Sequence, residues 1–200
     1  MYDSFFRFLG LVFLTVICAC NSGETTDKQP VISNSEEAPK ERFKPKLIAD
    51  HFDFPVGKPD AKRYYNAQPY GENNHLGDDW NGVGGGNTDL GDPIYAIANG
   101  YVKFAENYGG GWGNIVRIDH FLPNGDTYES FYAHCDEINT TAGTWVQRGD
   151  QIGTIGNNNG MYLAHLHFEI RSDTSLPVGG GYSSYTEGYL DPTQFIKKHR

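Results

Sequence analysis

Two segments of this chain repeat one another. Gly91-Asp92-Pro93-Ile94-Tyr95-Ala96-Ile97-Ala98-Asn99 and Gly149-Asp150-Gln151-Ile152-Gly153-Thr154-Ile155-Gly156-Asn157 carry Gly, Asp, Ile, Ile and Asn at the same offsets. Each reads as a turn followed by a short strand, because Gly-Asp favours a turn and the apolar positions then alternate. A chain that makes the same β unit twice is expected to pack the copies about a pseudo-symmetric core; coincidence between two short turn-strand segments is the plainer alternative. Further strands are expected at Ile115 to Asp119, Thr127 to Cys135 and Tyr162 to Arg171, with Pro123-Asn124-Gly125-Asp126 as a hairpin turn between the first two. The one helix expected is C-terminal, with Asp191 as cap, Pro192 at its first position and Phe195-Ile196 facing inward. The fold class is therefore mostly β, with a short C-terminal helix.

The two ends of the chain differ in kind. Met1 to Cys20 holds the apolar run Phe8 to Ile17 behind a single Arg7. That run is about half the ~20 residues a membrane-crossing helix needs, so it reads as the core of a signal peptide and the protein as exported. It ends Ile17-Cys18-Ala19-Cys20-Asn21-Ser22, which resembles a bacterial lipoprotein signal whose acylated residue would be Cys20. An ordinary cleaved signal peptide is the alternative. Residues 20–46, dominated by Glu, Lys, Pro, Ser and Thr, cannot bury enough apolar surface to order themselves and are expected to form a flexible lipidated tether. The division is thus 1–19 signal peptide, 20–46 tether and 47–200 folded domain. Removal of Cys18 and acylation of Cys20 would leave Cys135 as the last thiol, so no intramolecular disulfide is expected. Net charge is -9, without the basic stripe that nucleic-acid binding requires, so neither DNA nor RNA is read as a partner.

Chemistry concentrates in three places. In Tyr162-Leu163-Ala164-His165-Leu166-His167-Phe168-Glu169-Ile170, strand alternation puts His165, His167 and Glu169 on one face and Leu166, Phe168 and Ile170 on the other. The apolar face builds a core, which leaves two imidazoles on a surface or cleft, suited to a metal or to acid–base work. Asn73-Asn74-His75-Leu76-Gly77-Asp78-Asp79 supplies an imidazole and a carboxylate from a polar loop expected to wrap round an ion, with Asp78 an alternative to Asp79. The strand end Tyr128 to Cys135 presents His134 on the face of Ser130 and Tyr132, and Cys135 on the other, where it reads as a small buried hydrophobe. His51, His120 and His199 belong to no motif and read as surface or strand-end residues.

Taken in order, His75-x-x-x-Asp79, Tyr132-x-His134 and His165-Leu-His167-Phe-Glu169 resemble the lysostaphin-type (LytM-like) zinc endopeptidases over roughly residues 73–192. The resemblance implies a duplicated hybrid motif fold, a sandwich-like or barrel-like β domain. It further implies one zinc ion held by His75, Asp79 and His167, with His134 and His165 as the catalytic pair, their two roles undivided. The substrate it implies is the peptide portion of bacterial peptidoglycan; the lipoprotein-like signal ending at Cys20 adds a lipid-anchored position in the envelope as a separate expectation. This chain departs from the pattern in a glycine-rich insertion, Trp80 to Thr88, in Cys135 after His134, and in a Tyr/Gly-rich stretch, Ser172 to Tyr189. Those loops are expected to shape the groove or act as flaps. Two rival readings stand beside this one. A silent member of the same fold could activate another cell-wall enzyme, although such proteins typically lack ligands. A lipoyl or biotin carrier is the other, but Asn157-Asn158-Asn159 offers no acceptor lysine.

Overall fold

The computed structural model describes residues 44–200. The expected signal segment, Cys20 and the expected tether as far as residue 43 lie outside the described residues. Among the described residues no helix is long and apolar enough to cross a membrane.

Ten strands form one connected sheet system. They are β1 (Tyr64–Gln68), β2 (Asp78–Gly82), β3 (Pro93–Tyr95), β4 (Gly100–Gly109), β5 (Gly113–Phe121), β6 (Thr127–Ile138), β7 (Trp145–Val146), β8 (Gln151–Ile155), β9 (Leu166–Arg171) and β10 (Tyr189–Leu190), followed by α1 (Pro192–Lys198). The main path runs β1-β2-β9-β6-β5-β4-β7, with β10 on β9, and β8 on both β3 and β6. The fold is mostly β with one short C-terminal helix, as the alternating patterns require.

The repeated segments meet each other. β3 and β8 pair antiparallel, with Ile94 opposite Gly153, and exchange backbone bonds: Gly91 N donates to Ile155 O and Gly149 N donates to Ala96 O. The pseudo-symmetry is offset by one residue, because a register shift falls between Ile94 and Tyr95. Ile94, Ile97, Ile152 and Ile155 are fully buried and sit in the main core with Val102, Val116, Ile118, Phe168 and Ile170. The hairpin turn lies where Pro123 to Asp126 place it, with Leu122 N bonded to Asp126 O. Asp191 caps α1 by accepting from Gln194 N, and Phe195 and Ile196 are buried against Phe52 and the core.

Three expectations are corrected here. The strand predicted from Tyr162 begins only at Leu166, because Ala164 is tied to side chains: Asn87 Oδ1 accepts from its N–H and Asn81 Nδ2 donates to its carbonyl. Asp79 lies in β2 and not in a loop. His120 is fully buried, bridging Asn99 O through Nδ1 and Ser130 Oγ through Nε2. Alternation along β5 turns it inward with Ile118, and those two polar partners permit its burial.

The outer face of the sheet carries a second, smaller core of Ile115, Phe131, Ala133 and Val178, with Phe104 and Trp112 against it. Residues 172–188, here called the strap, cover that face. Every residue of β9 is consequently buried, including His167, Glu169 and Arg171.

A His/Asp cluster beneath a glycine-walled pocket

His167 sits in β9 with Asp79 opposite it on β2 and Ala133 opposite it on β6. Because β2 and β9 are paired directly, cross-strand neighbours on one face bring Asp79 Oδ1 to 3.0 Å from His167 Nδ1. His75 arrives by another route. The turn Glu72–Asn74, with Asn73 and Asn74 both in the left-handed region, bends the chain over the sheet. There the His75 Nε2 atom lies 3.0 Å from His167 Nδ1 and 3.3 Å from Asp79 Oδ1.

The outer bonds of the two imidazoles fix which nitrogen faces in. His75 Nδ1 lies 3.2 Å from Gln68 O; a carbonyl only accepts, so Nδ1 holds the proton and Nε2 presents a lone pair. His167 Nε2 lies 2.9 Å from Glu169 Oε1, which by the same reasoning leaves the Nδ1 lone pair facing inward. Two imidazole lone pairs and a carboxylate oxygen therefore converge, and that concentration of acceptors demands positive charge. A proton would meet the demand: burial works against it, but the Asp79 and Glu169 carboxylates push His167 up to about 9. Burial likewise opposes ionisation of Asp79, yet a proton on the inward nitrogen of His167 or His75 would hydrogen-bond its carboxylate, and this holds the carboxyl well below the usual range. A metal ion would meet the demand as well. A tetrahedral ion with bonds of about 2.0–2.2 Å has ligand–ligand edges of about 3.3–3.6 Å, close to the separations found. His75, Asp79 and His167 are the one such group among the described residues. Asp78, the alternative, points away and accepts from Tyr70 N at 3.0 Å and Thr193 Oγ1 at 2.6 Å.

His134 and His165 close the other side. Their ring centroids are 4.7 Å apart, and His134 lies 6.0 Å from the His167 ring. Strand alternation puts His134 on the face of Ser130 and Tyr132; the structure turns it over. A bulge opposes Asn114-to-Val116 of β5 with Tyr132-to-Cys135 of β6, and His134 takes φ 59°. At this residue β6 also changes partner, from β9 through Ala133 to β8 at Cys135. The ring stacks on Trp112, with centroids 5.8 Å apart and planes at 17°. Burial and the neighbouring His165 and His167 push His134 down to about 3, so its ring is neutral, and its buried Nδ1 has no partner. His165, half-buried, turns Nδ1 to Leu163 O at 2.8 Å.

Asp79, Trp112, His134, Tyr162, His165, His167, Tyr182 and three glycines line a cavity of about 310 Å³. Trp112, Tyr162 and Tyr182 escaped the sequence reading, since aromatic residues in loops carry no periodic signal. Of the two glycine-rich stretches, only that of the strap, at Gly180 and Gly181, reaches the cavity; Gly84 lines a separate depression with Lys58, Arg63 and Asp92. The expectation that the insertion shapes the groove is corrected to that extent: Asn81 and Asn87 act on it indirectly, by pinning Ala164 beside His165. Cys135 is buried, and burial pushes its thiol up to about 12, as befits a small hydrophobe.

Over 81 residues the chain is 42% identical to lipoprotein NlpD of Yersinia enterocolitica, spanning 40% of this chain and 78% of that protein. It is 40% identical over 81 residues to the murein hydrolase activator NlpD of Salmonella dublin, but spans 20% of that protein's length. It is 36% identical over 81 residues to the peptidoglycan DD-endopeptidase ShyA of Vibrio cholerae, spanning 18% of it. Lysostaphin, the antimicrobial peptidase from Staphylococcus simulans, shares the fold with a TM-score of 0.51 at 24% identity, over 68% of this chain and 50% of that one. Residues 79–178, from the Asp79 strand to the strap, match the profile of peptidase family M23, and the chain belongs to that family.

Proposed function

We propose that this protein is a zinc-dependent endopeptidase that hydrolyses peptide cross-links, or stem or bridge peptides, of bacterial peptidoglycan. The observation that carries the reading is the convergence of His75 Nε2, Asp79 Oδ1 and His167 Nδ1 under a cavity whose opposite wall holds His134 and His165. His75, Asp79 and His167 would hold one zinc ion. Zinc bound by three protein ligands acts as a Lewis acid and lowers the pKa of a coordinated water towards about 7. A neutral imidazole offers one acceptor and one donor nitrogen, so of His134 and His165 one would take the proton of the attacking water while the other would donate to the carbonyl oxygen as it becomes tetrahedral. In His165 Nδ1 lies 2.8 Å from Leu163 O, which can only accept, so in the neutral ring Nε2 is the acceptor, which suits it to the base role. Trp112 stacked on His134 holds the second ring in place.

Similarity to proteins named lipoprotein supports envelope anchoring through a lipid on Cys20, with the domain working on peptidoglycan at the end of its tether. A second reading has a specific observation in its favour: one relative bears the name murein hydrolase activator. On that reading the same fold would bind another cell-wall enzyme and leave the chemistry to it. The intact set of five polar groups supports catalysis over activation.

Purified peptidoglycan incubated with the zinc-loaded protein, and the released fragments identified by mass spectrometry, separates the two. Cleavage abolished by chelation, restored by zinc and missing in His165→Ala supports the peptidase. Folded, zinc-loaded protein that releases nothing from walls of several chemistries, yet accelerates a second wall hydrolase, would establish the activator instead.

A further inference from the structure

The strap is held down by its carbonyl oxygens. Lys103 Nζ donates to Thr174 O at 2.5 Å, Arg117 Nη2 to Leu176 O at 2.7 Å, and Arg171 to Pro177 O and Val178 O at 2.9 Å each. Trp112 Nε1 donates to Gly179 O at 3.0 Å. Next along the strap come Gly180 and Gly181, which wall the cavity. There the strap pairs with the segment that carries His75: Leu76 N donates to Gly181 O and Ser183 N to Asn74 O, and Tyr182 Oη donates to Gln68 Oε1. Gln68 is also the residue whose carbonyl faces His75 Nδ1.

Arg171 stands at the junction of two of these systems. Its guanidinium is fully buried, and Nε and Nη2 grip Glu169 Oε2 at 2.7 and 2.6 Å while Nη1 and Nη2 hold the strap. The other oxygen of the same carboxylate, Glu169 Oε1, faces His167 Nε2. Phe131 lies 4.5 Å beneath the guanidinium. Burying an ion is tolerable only when its hydrogen bonds are met, and here the cations Lys103, Arg117 and Arg171 are matched by Asp119, Glu129 and Glu169. Main-chain packing explains neither the choice of arginine nor its position. The planar fork that binds a carboxylate and two carbonyls at once does, and lysine cannot reproduce it.

We propose that Arg171 is a positioning residue: through Glu169 it orients His167, and through Pro177 and Val178 it fixes the strap, so that the cavity wall and the metal-facing histidines are set as one unit. A disturbance at Glu169 is then felt in the strap, and a disturbance of the strap is felt at His167. The inference rests on the metal reading for its second half only; the coupling between Glu169 and the strap stands without it.

The test uses the full chain and three substitutions. Arg171→Lys keeps the charge and loses the fork. Glu169→Gln keeps an acceptor for His167 but breaks the ion pair, reading the coupling from the other end should Arg171→Lys fail to fold. Phe195→Leu, in α1, lowers stability away from the site and serves as control. Amide hydrogen exchange reports on Leu76 and Ser183, whose N–H groups bridge the strap and the His75 segment. Zinc affinity from chelator competition and the absorption spectrum of cobalt-substituted protein report on His167. Arg171→Lys and Glu169→Gln are both expected to speed exchange at Leu76 and Ser183, to weaken zinc about 10–100-fold and to shift the cobalt bands, while Phe195→Leu changes none of these. Native exchange at Leu76 and Ser183 in both substituted proteins overturns the proposal, and so does an equal response in the Phe195→Leu control. If the native chain retains no zinc, the peptidase reading fails, and the exchange measurements still decide this inference.

Discussion

His75 Nε2 and His167 Nδ1 lie 3.0 Å apart although 92 residues separate them in the chain. With each outer nitrogen engaged by an acceptor, both inner nitrogens offer a metal ion their lone pairs once an inward proton is displaced, and Asp79 adds a third ligand, so removal of any of the three should lower metal binding. Zinc content measured by elemental analysis on His75→Ala, Asp79→Ala and His167→Ala is expected to fall well below one ion per chain. Any of these proteins keeping stoichiometric zinc refutes the assignment of that residue.

Metal binding should also appear as stability. A ligand that binds only the native state at about 1,000 times its Kd adds roughly 4 kcal/mol, so a strong chelator should lower the Tm of the native protein by several degrees. In His167→Ala the chelator should change nothing. A native Tm indifferent to both chelator and added zinc would count against a resident ion.

His134 and His165 face the cavity without belonging to the converging group. Each substituted singly by alanine should leave zinc bound and lower turnover by about 10²-fold or more. Parallel measurement of zinc content and cleavage rate checks this, and full activity in both variants would remove the pair from the mechanism.

Gly156 packs against the bulge that orients His134. A Cβ there would stand 2.4 Å from His134 O and 2.6 Å from Asp136 N, both backbone atoms that cannot swing aside. Gly156→Ala should therefore cost about 1–3 kcal/mol in denaturant unfolding, and reduce cleavage beyond what the lost stability explains. Wild-type stability in this variant would mean that the bulge yields easily.

Burial holds His120 down to about 4, against 6.5 for a free histidine. The unfolded chain then binds this proton more tightly than the native one, so its contribution to stability is present above about pH 6.5 and is lost as pH falls towards 4. At about 1.4 kcal/mol per pH unit, the loss should reach roughly 3 kcal/mol. Urea unfolding at pH 7 and pH 4.5 should give a smaller pH difference in His120→Gln than in the native protein; equal differences would show that another group carries the effect.

The sequence by itself determined the elements and their inner faces. Strand alternation set Leu166, Phe168 and Ile170 inward, the repeated Gly-Asp-x-Ile segments announced paired units, and Asp191-Pro192 marked the helix start, because these depend on local periodicity and capping chemistry. It also supplied the five polar residues that gather at the cavity, through spacing and family resemblance. Tertiary structure alone decided the rest. It reversed the face of His134 by a bulge, which alternation cannot foresee. It buried His120, which alternation sends inward once Asn99 and Ser130 are there to satisfy it. It separated Asp78 from Asp79 by drawing both into β2, where adjacent side chains point to opposite faces. And it folded residues 172–188 over His167, Glu169 and Arg171, where Lys103 and Arg117 meet carbonyls 71 and 59 residues along the chain, a match that no local pattern encodes.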